Sequence, residues 1–152
     1  MKNKDVAPFL NALESVKDLS GFRFALAVVR NKKACNAKVE EFKEALKPSD
    51  RYTEYDTKRV NLCKAHAKKD ESGEPIVANG EYQIADVLAL MSELSPISEE
   101  YQDAVSEYSQ KLKDFEAIAD DDAGITLEQV GSDDIPKDIT PAQLEALYEM
   151  VK

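Results

Sequence analysis

The sequence contains no tryptophan, one histidine, two cysteines, five glycines and six prolines in 152 residues. Two cysteines are too few for the disulfide framework of a small secreted protein, and so little glycine and proline argues against fibrous or low-complexity chains. No apolar run approaches the roughly 20 residues of a membrane span, and none at the start forms the core of a signal peptide. We therefore expect synthesis in a cytoplasm, where both thiols stay reduced.

The residues that are present suit one helical domain. Hydrophobic residues make up 43% of the chain and charged residues 33%, and a chain of this length buries about two thirds of its unfolded surface in a single core. We predict a mostly α fold of the α+β class, with an antiparallel helical hairpin, further helices and a small β ribbon of two or three strands. The single domain covers 1–152, with the hairpin at 22–69, the ribbon at 75–84 and a C-terminal helical part at 86–152.

Apolar residues at three- and four-residue spacing predict the helices of the front half. A short helix capped by Asn3 or Asp5 runs to about residue 19, and a longer helix covers 22–46. Lys32 is the one polar break in the apolar stripe of the longer helix. The stripe consists of Ala25, Val28, Cys35, Val39, Phe42 and Leu46. A proline and a serine then stop this helix and cap a return helix at 50–69, so the short connection predicts an antiparallel pair.

The segment KKDESGEPIVANGEYQI, at 68–84, interrupts the helical pattern. Its Asn79-Gly80 pair is the strongest short signal for a hairpin turn, because both residues tolerate positive φ. We predict two short strands around this turn, with 125–127 as a candidate third strand beside them. A ribbon of this length is not stable alone, so we interpret it as a joint that packs on the helices rather than as a binding site.

The C-terminal part is predicted to be helical with one long loop. A helix at 86–94, a break at 95–96 and a second helix at 98–117 precede an acidic loop region. The final helix has the clearest start signal in the chain. Thr140 is its expected cap, followed by a proline at the first helical position, and Gln143 completes a capping box.

Cys35, Cys63 and His66 are the candidate metal ligands. The predicted hairpin would bring these three side chains into one layer, but a structural zinc site usually takes four ligands and no fourth cysteine or histidine exists. We therefore favour packed thiols and expect no cofactor. No glycine-rich phosphate loop occurs, and no trio of serine, histidine and acid is credible, so we do not expect an enzyme.

Charge is distributed unevenly along the chain. Residues 1–69 contain 16 Lys and Arg against 9 Asp and Glu, whereas 70–152 contain 4 against 21, which gives the net charge of -10. The two halves either neutralise each other within a monomer or bring about head-to-tail self-association. We do not expect nucleic-acid binding, since the acidic half repels phosphate. We expect no membrane partner, since no apolar run is long enough for a span. The basic residues predicted to contact a protein partner are Arg30, Lys33, Lys64, Lys68 and Lys69.

Three short motifs carry a resemblance to a known family. They are Lys-Asp followed by Gly-x-Pro at 69–75, Gly-x-Tyr-x-Ile at 80–84, and a closing proline before Thr-Pro-x-x-Leu-x-x-Leu at 140–147. Their order resembles that of a family of small tailed-bacteriophage proteins that form a domain of unknown function. The stretch at 85–100 departs from the family pattern as an extra helical insertion. The resemblance implies a phage origin and supplies no catalytic residues.

Two functions fit these features. The first is a non-enzymatic phage protein that acts through protein–protein contacts in the host cytoplasm, as an assembly factor or as a minor component incorporated in the virion. The alternative is a phage-encoded inhibitor of a host defence system, whose acidic back half either mimics DNA or blocks a basic surface. Both need only a stable scaffold with a displayed surface.

Overall fold

The computed structural model describes residues 1–152 and confirms the mostly α fold of the α+β class. The helices are α1 (Val6–Ser15), α2 (Phe22–Ala45), α3 (Asp50–Ala65), α4 (Val87–Glu100), α5 (Gln102–Ala117) and α6 (Pro141–Ala146), and the strands are β1 (Val77–Ala78) and β2 (Glu81–Tyr82). Short 3-10 helices cover Asn3–Asp5, Ser132–Asp134 and Tyr148–Met150. The chain forms two compact units: the first comprises Met1–Leu46 with Asp114–Lys152, and the second comprises Lys47–Lys113.

The first unit is built on a helical hairpin of α1 and α2. Gly21 makes the connection possible, because its φ of 120° is a conformation that other residues rarely adopt. The core takes side chains from α1, α2 and the C-terminal segment. Its buried members are Val6, Phe9, Leu13, Val16, Phe24, Ala27, Val28, Cys35, Ala123, Val130, Leu147 and Met150. The apolar spacing along α1 and α2 thus places one face of each helix in a shared core.

The polar position in the buried face of α2 is Asn31, and not Lys32 as predicted. Asn31 is 1% exposed, and its side chain pairs with the backbone of Glu128. The Asn31 Nδ2 donates to the Glu128 carbonyl at 3.0 Å, and the Glu128 N–H donates to the Asn31 Oδ1 at 2.7 Å. Lys32 lies at the edge of this face and forms an ion pair with Glu14 of α1. The long lysine side chain can reach water there, which a buried position would not allow.

Neither predicted cap of the first helix is observed. Asp5 precedes α1 without a side-chain cap hydrogen bond, and Asn3 lies in the preceding 3-10 helix. The Asn3 Nδ2 donates to the carbonyl of Ile118 at 2.8 Å, and its backbone N–H donates to the carbonyl of Asp121 at 2.9 Å. The prediction was wrong for Asn3 because its side chain bonds to a partner distant in sequence. It was wrong for Asp5 because its backbone is already helical, with φ -88° and ψ -13°, whereas a capping residue is usually extended.

Both helices of the predicted hairpin at 22–69 are present as α2 and α3. Ser49 caps α3 as predicted, since its Oγ accepts a hydrogen bond from the N–H of Tyr52 at 3.2 Å. Within the units, however, α2 packs on α1 and α3 packs on α4. The α2 and α3 helices belong to different compact units. Their pairing, and the single domain over 1–152, therefore stay predictions.

The β ribbon of the second unit forms as predicted around Asn79-Gly80. Asn79 has a φ of 54° and Gly80 a φ of 82°, which is the geometry of a type I′ turn. Val77 pairs with Tyr82 in antiparallel register. The strand therefore turns at the two residues that the sequence indicates.

The third partner of the ribbon is the segment after α3, and not 125–127. The Lys68 N–H donates to the Gln83 carbonyl at 2.6 Å, the Gln83 N–H to the Ile76 carbonyl at 3.0 Å, and the Ile76 N–H to the Lys68 carbonyl at 2.8 Å. These three residues close a ring of hydrogen bonds in which each donates once and accepts once. Residues 125–127 form no strand. Ile125 and Leu127 pack on the core of the first unit instead.

The predicted helix break at 95–96 is also corrected. Pro96 lies inside α4, and the break falls at Tyr101 between α4 and α5. A proline inside a helix removes one donor without ending the helix when the freed carbonyl is solvated. That carbonyl belongs to Ser92, which is exposed. Asp86 caps α4 by accepting from the N–H of Ala89 at 3.0 Å.

The capping box of α6 is present as predicted. The Thr140 Oγ1 accepts from the N–H of Gln143 at 3.3 Å, and the Gln143 side chain accepts from the N–H of Thr140 at 3.0 Å. The helix itself is short, and the chain continues into a 3-10 turn. Val130 and Val151 then form a parallel bridge that closes the first unit.

Candidate interaction surfaces

The outer side of α2 displays an apolar stripe in the first unit. Phe22 is 84% exposed and Val29 is 63% exposed. Together with the half-buried Leu26 and the exposed Lys33, they occupy one side of the helix at spacings of four, three and four residues. We call these four residues the α2 stripe. The α2 stripe shares no residue with the apolar stripe predicted for this helix from the sequence. It lies away from the buried side of α2, which faces the core.

Two arginines beside the α2 stripe are already engaged within the first unit. Arg30 pairs with Glu128 at 3.0 Å, and Arg23 pairs with Asp134 at 3.3 Å. Lys33 forms no ion pair and is exposed. Of the two residues on α2 that we predicted to contact a partner, Lys33 is therefore the one whose charge is not already paired.

The outer side of α4 displays a second apolar surface, in the second unit. Leu88 is 82% exposed and Met91 is 61% exposed, whereas Leu90 on the opposite side is buried. Ser95 and Glu99 continue this side of the helix at spacings of four residues. We define the α4 face by five exposed residues, which are Val87, Leu88, Met91, Ser95 and Glu99.

The α4 face lies in a long acidic segment of the chain. Residues 70–110 contain ten Asp and Glu and no Lys or Arg. A groove of about 360 Å³ adjoins the end of the face and is lined by Tyr55, Ser95, Ser98, Glu99, Gln102, Val105 and Ser106. The surface is thus apolar at the start of α4 and polar and acidic towards its end.

The other predicted contact residues lie in the second unit. Lys64, near the end of α3, and Lys68 and Lys69, which follow the helix, all have exposed side chains. The backbone of Lys68 takes part in the hydrogen-bond ring of the ribbon, and Lys69 bridges to Pro75. The predicted basic contact residues are therefore divided between the two units.

Further basic residues of α3 support the second unit through a buried tyrosine. Tyr101 is 2% exposed. The Arg51 guanidinium lies 5.0 Å and the Lys58 Nζ 4.7 Å from the centre of its ring. The Tyr101 hydroxyl donates to Glu54 at 2.6 Å and accepts from Lys58 at 2.6 Å. Cation–π contacts and charge-assisted hydrogen bonds stabilise this arrangement.

These contacts shift the acid–base properties of the groups around Tyr101. The hydrogen bond from Tyr101, followed by that from Lys58, lowers the pKa of Glu54. The hydrogen bond to Tyr101 raises the pKa of Lys58. Both shifts favour the charged forms that hold the tyrosine hydroxyl. The sequence indicated basic and aromatic residues in this region but did not indicate that Tyr101, at the helix break, would be their shared partner.

The candidate metal ligands have separate surroundings. Cys35 is fully buried in the first unit, and burial raises the pKa of its thiol. Cys63 is half-buried in the second unit and lines a cleft of about 520 Å³ with Arg59 and Tyr82. The His66 Nε2 lies 3.2 Å from Glu93 of α4. No group of three or more His, Cys, Asp or Glu side chains in the chain could hold a metal ion.

Comparison of the chain with protein families, curated proteins and solved structures found no match. None of its helices has both the length and the apolar character needed to span a bilayer.

Proposed function

We propose that this is a non-enzymatic phage protein that acts through protein–protein contacts, as an assembly factor or a minor virion component. The observation that carries the proposal is the pair of outward-facing helix surfaces, the α2 stripe and the α4 face. Each combines exposed large apolar side chains with charge of one sign. Apolar patches rimmed by charged residues are typical of surfaces that a protein partner covers.

The phage origin in this proposal rests on the sequence resemblance alone. It places the protein in the host cytoplasm during infection, and in the particle if the protein is incorporated. The partner is either a second copy of the chain or another phage or host protein. No cofactor, membrane or nucleic acid is part of the proposal.

Quantitative mass spectrometry of purified particles and of their assembly intermediates tests this function. We expect a small, fixed copy number in one of the two fractions. We also expect a chain with Leu88→Ala and Met91→Ala to be recovered there in reduced amount, whereas a Val77→Ala chain should be recovered normally. Val77 is the matched control because it is exposed in the same unit but lies outside the α4 face. Absence of the wild-type chain from both fractions would contradict the proposal.

One observation favours the alternative function, inhibition of a host defence protein. The run of ten acidic residues without a basic one at 70–110 creates a negative field of the kind that attracts a DNA-binding surface. An inhibitor of this type would compete with duplex DNA for a basic host protein, and the competition would weaken as salt is raised. Competition that persists after Glu93→Gln, Glu99→Gln and Glu100→Gln would count against DNA mimicry.

A further inference from the structure

The α2 stripe and the α4 face have complementary compositions. The α2 stripe has two exposed large apolar side chains, a half-buried leucine between them and a basic residue, Lys33, at its C-terminal end. The α4 face has three large apolar side chains and an acidic residue, Glu99, at its C-terminal end. The two surfaces are therefore complementary in apolar character and in the sign of their terminal charge.

We propose that the α4 face of one molecule binds the α2 stripe of a second copy of this chain. This inference rests on the proposed function, because it names the partner and the surfaces of a protein–protein contact. It also names the residues through which the predicted head-to-tail association would occur.

Apolar burial supplies the attraction in this contact. Phe22 and Val29 of one copy would leave water against Leu88, Met91 and Val87 of the other. Side chains three and four residues apart form the ridges by which two helices pack together. Burial of exposed residues of this size is the main source of binding free energy between proteins.

Charge favours the α2 stripe over a second α4 face as the surface that the α4 face binds. A second α4 face is disfavoured as the occupant, since each face lies in a segment with ten acidic residues and no basic one. The α2 stripe ends in Lys33, which forms no ion pair within the chain, whereas Arg23 and Arg30 beside it are already paired with Asp134 and Glu128. Like charges across an interface disfavour the wrong pairing, while opposite charges favour the correct one. The α4 face therefore selects the α2 stripe.

The contact joins two different surfaces, so it is heterologous. Every copy in an assembly would use its α2 stripe towards one neighbour and its α4 face towards the other, which produces rings or open chains instead of a closed pair. The apolar part of each surface is small, and small interfaces form weak complexes. We expect association that increases with protein concentration and weakens as salt is raised.

Sedimentation velocity of the purified full chain tests this contact with two paired variants. One variant carries Phe22→Ala and Val29→Ala, and the other carries Leu88→Ala and Met91→Ala. Alanine preserves helix propensity at these exposed positions, and circular dichroism checks that both variants remain folded. Each variant alone should self-associate about 10- to 100-fold more weakly than the wild type, because two apolar side chains are lost from the interface.

Mixing the two variants distinguishes a heterologous contact from any symmetric one. The first variant retains an intact α4 face and the second an intact α2 stripe, so the mixture should form a one-to-one complex that grows no further. Tyr148→Ala in the first unit and Val77→Ala in the second are controls at exposed apolar positions, and both should associate like the wild type.

Two outcomes would overturn the inference: a wild-type chain that stays monomeric at every concentration, or a mixture of the two variants that forms no complex. A monomeric chain that is nevertheless found in particles would remove this contact and leave the proposed function in place. A self-associating chain that is absent from particles and intermediates would contradict the proposed function and leave this contact in place.

Discussion

Two buried asparagines connect the N-terminal helices of the first unit to its C-terminal segment. Asn3 donates to the carbonyl of Ile118, and Asn31 forms two hydrogen bonds with the backbone of Glu128. The sequence did not indicate either role, since a pattern of apolar spacing treats a single asparagine as a cap or a solvated position. Only the distant segment that pairs with each amide explains its burial.

Replacement of Asn31 by alanine should destabilise the protein. The change removes both hydrogen bonds and leaves the N–H and the carbonyl of Glu128 without their partner, at a cost of about 2 to 4 kcal/mol. Urea denaturation measures the change in the free energy of unfolding. Asn36→Ala, at an exposed position of the same helix, is the control and should change stability by less than about 0.5 kcal/mol. Equal effects of the two substitutions would contradict the assigned role of Asn31.

Asp120 is predicted to make stability depend on pH at the acidic end of the range. Hydrogen bonds from Lys2 and Lys4 lower its pKa from 3.8 to about 2. A carboxyl whose pKa is lowered in the folded state adds stability above its unfolded pKa, and that stability is lost as the pH falls through the folded pKa. Asp120→Asn should therefore lower Tm at neutral pH, and the difference from the wild type should shrink between pH 3.8 and about 2.

The control for this measurement is Asp121→Asn. Asp121 is a neighbouring exposed residue that forms no ion pair through its side chain. Its replacement should leave Tm close to the wild-type value at both ends of the range. A Tm difference for Asp120→Asn that stays constant from neutral pH to about pH 2 would show that the lysine contacts do not stabilise the folded state.

At the scale of elements, predictions from the sequence were confirmed where local interactions determine the structure of the element. The α3 cap at Ser49, the Asn79-Gly80 turn and the α6 capping box at Thr140 all formed as predicted. The predicted break at Pro96 and the predicted strand at 125–127 did not form. Their outcome depends on long-range packing, because α4 continues through its proline and the core of the first unit takes up Ile125 and Leu127.

The candidate surfaces were harder to predict than the elements. Basic residues such as Lys33 could be named from the sequence, but the ion pair between Arg30 and Glu128 could not. The α4 face could not be predicted from the sequence either, because Leu88 and Leu90 have the same chemistry and only packing decides which of them is exposed. A helix with apolar residues on both sides indicates either a core helix or a displayed surface.

The turn of the ribbon gives a prediction at this scale. Gly80→Ala should destabilise the second unit by about 1 to 2 kcal/mol, because an alanine at a φ of 82° adopts a left-handed conformation. No atom lies within 4 Å of the added Cβ, so the cost comes from the backbone alone. Gly131→Ala is the matched control, since Gly131 has equally open surroundings and a φ of -72°. Thermal unfolding should show a loss for the first variant and no loss for the second, and the reverse order would contradict the turn assignment.

At the scale of the whole molecule, the uneven charge is partly balanced inside each unit. Lys2, Lys4, Arg23 and Arg30 of the basic half pair with acidic residues of the C-terminal segment in the first unit. In the second unit, Arg51 pairs with Asp103. These pairs are surface contacts with small individual contributions to stability. They support neutralisation within a monomer for these residues, whereas Lys33 of the α2 stripe and Glu99 of the α4 face are not among the paired residues.

Unfolding measured by two probes tests the predicted single domain over 1–152. The chain has no tryptophan and six tyrosines, of which Tyr148 alone belongs to the first unit. Tyrosine fluorescence therefore reports mainly on the second unit, whereas circular dichroism reports on helices of both. A single cooperative domain gives coincident transitions by the two probes. Separate midpoints would contradict the single-domain prediction.

Amide hydrogen exchange of the wild-type chain at low and high protein concentration tests the central claim most directly. The α2 stripe and the α4 face should each be covered by a neighbouring copy, and covered helices exchange more slowly. We expect concentration-dependent protection in peptides that cover 22–33 and 87–99, with the remaining peptides unchanged. Exchange that does not depend on concentration, or protection confined to other segments, would contradict the account.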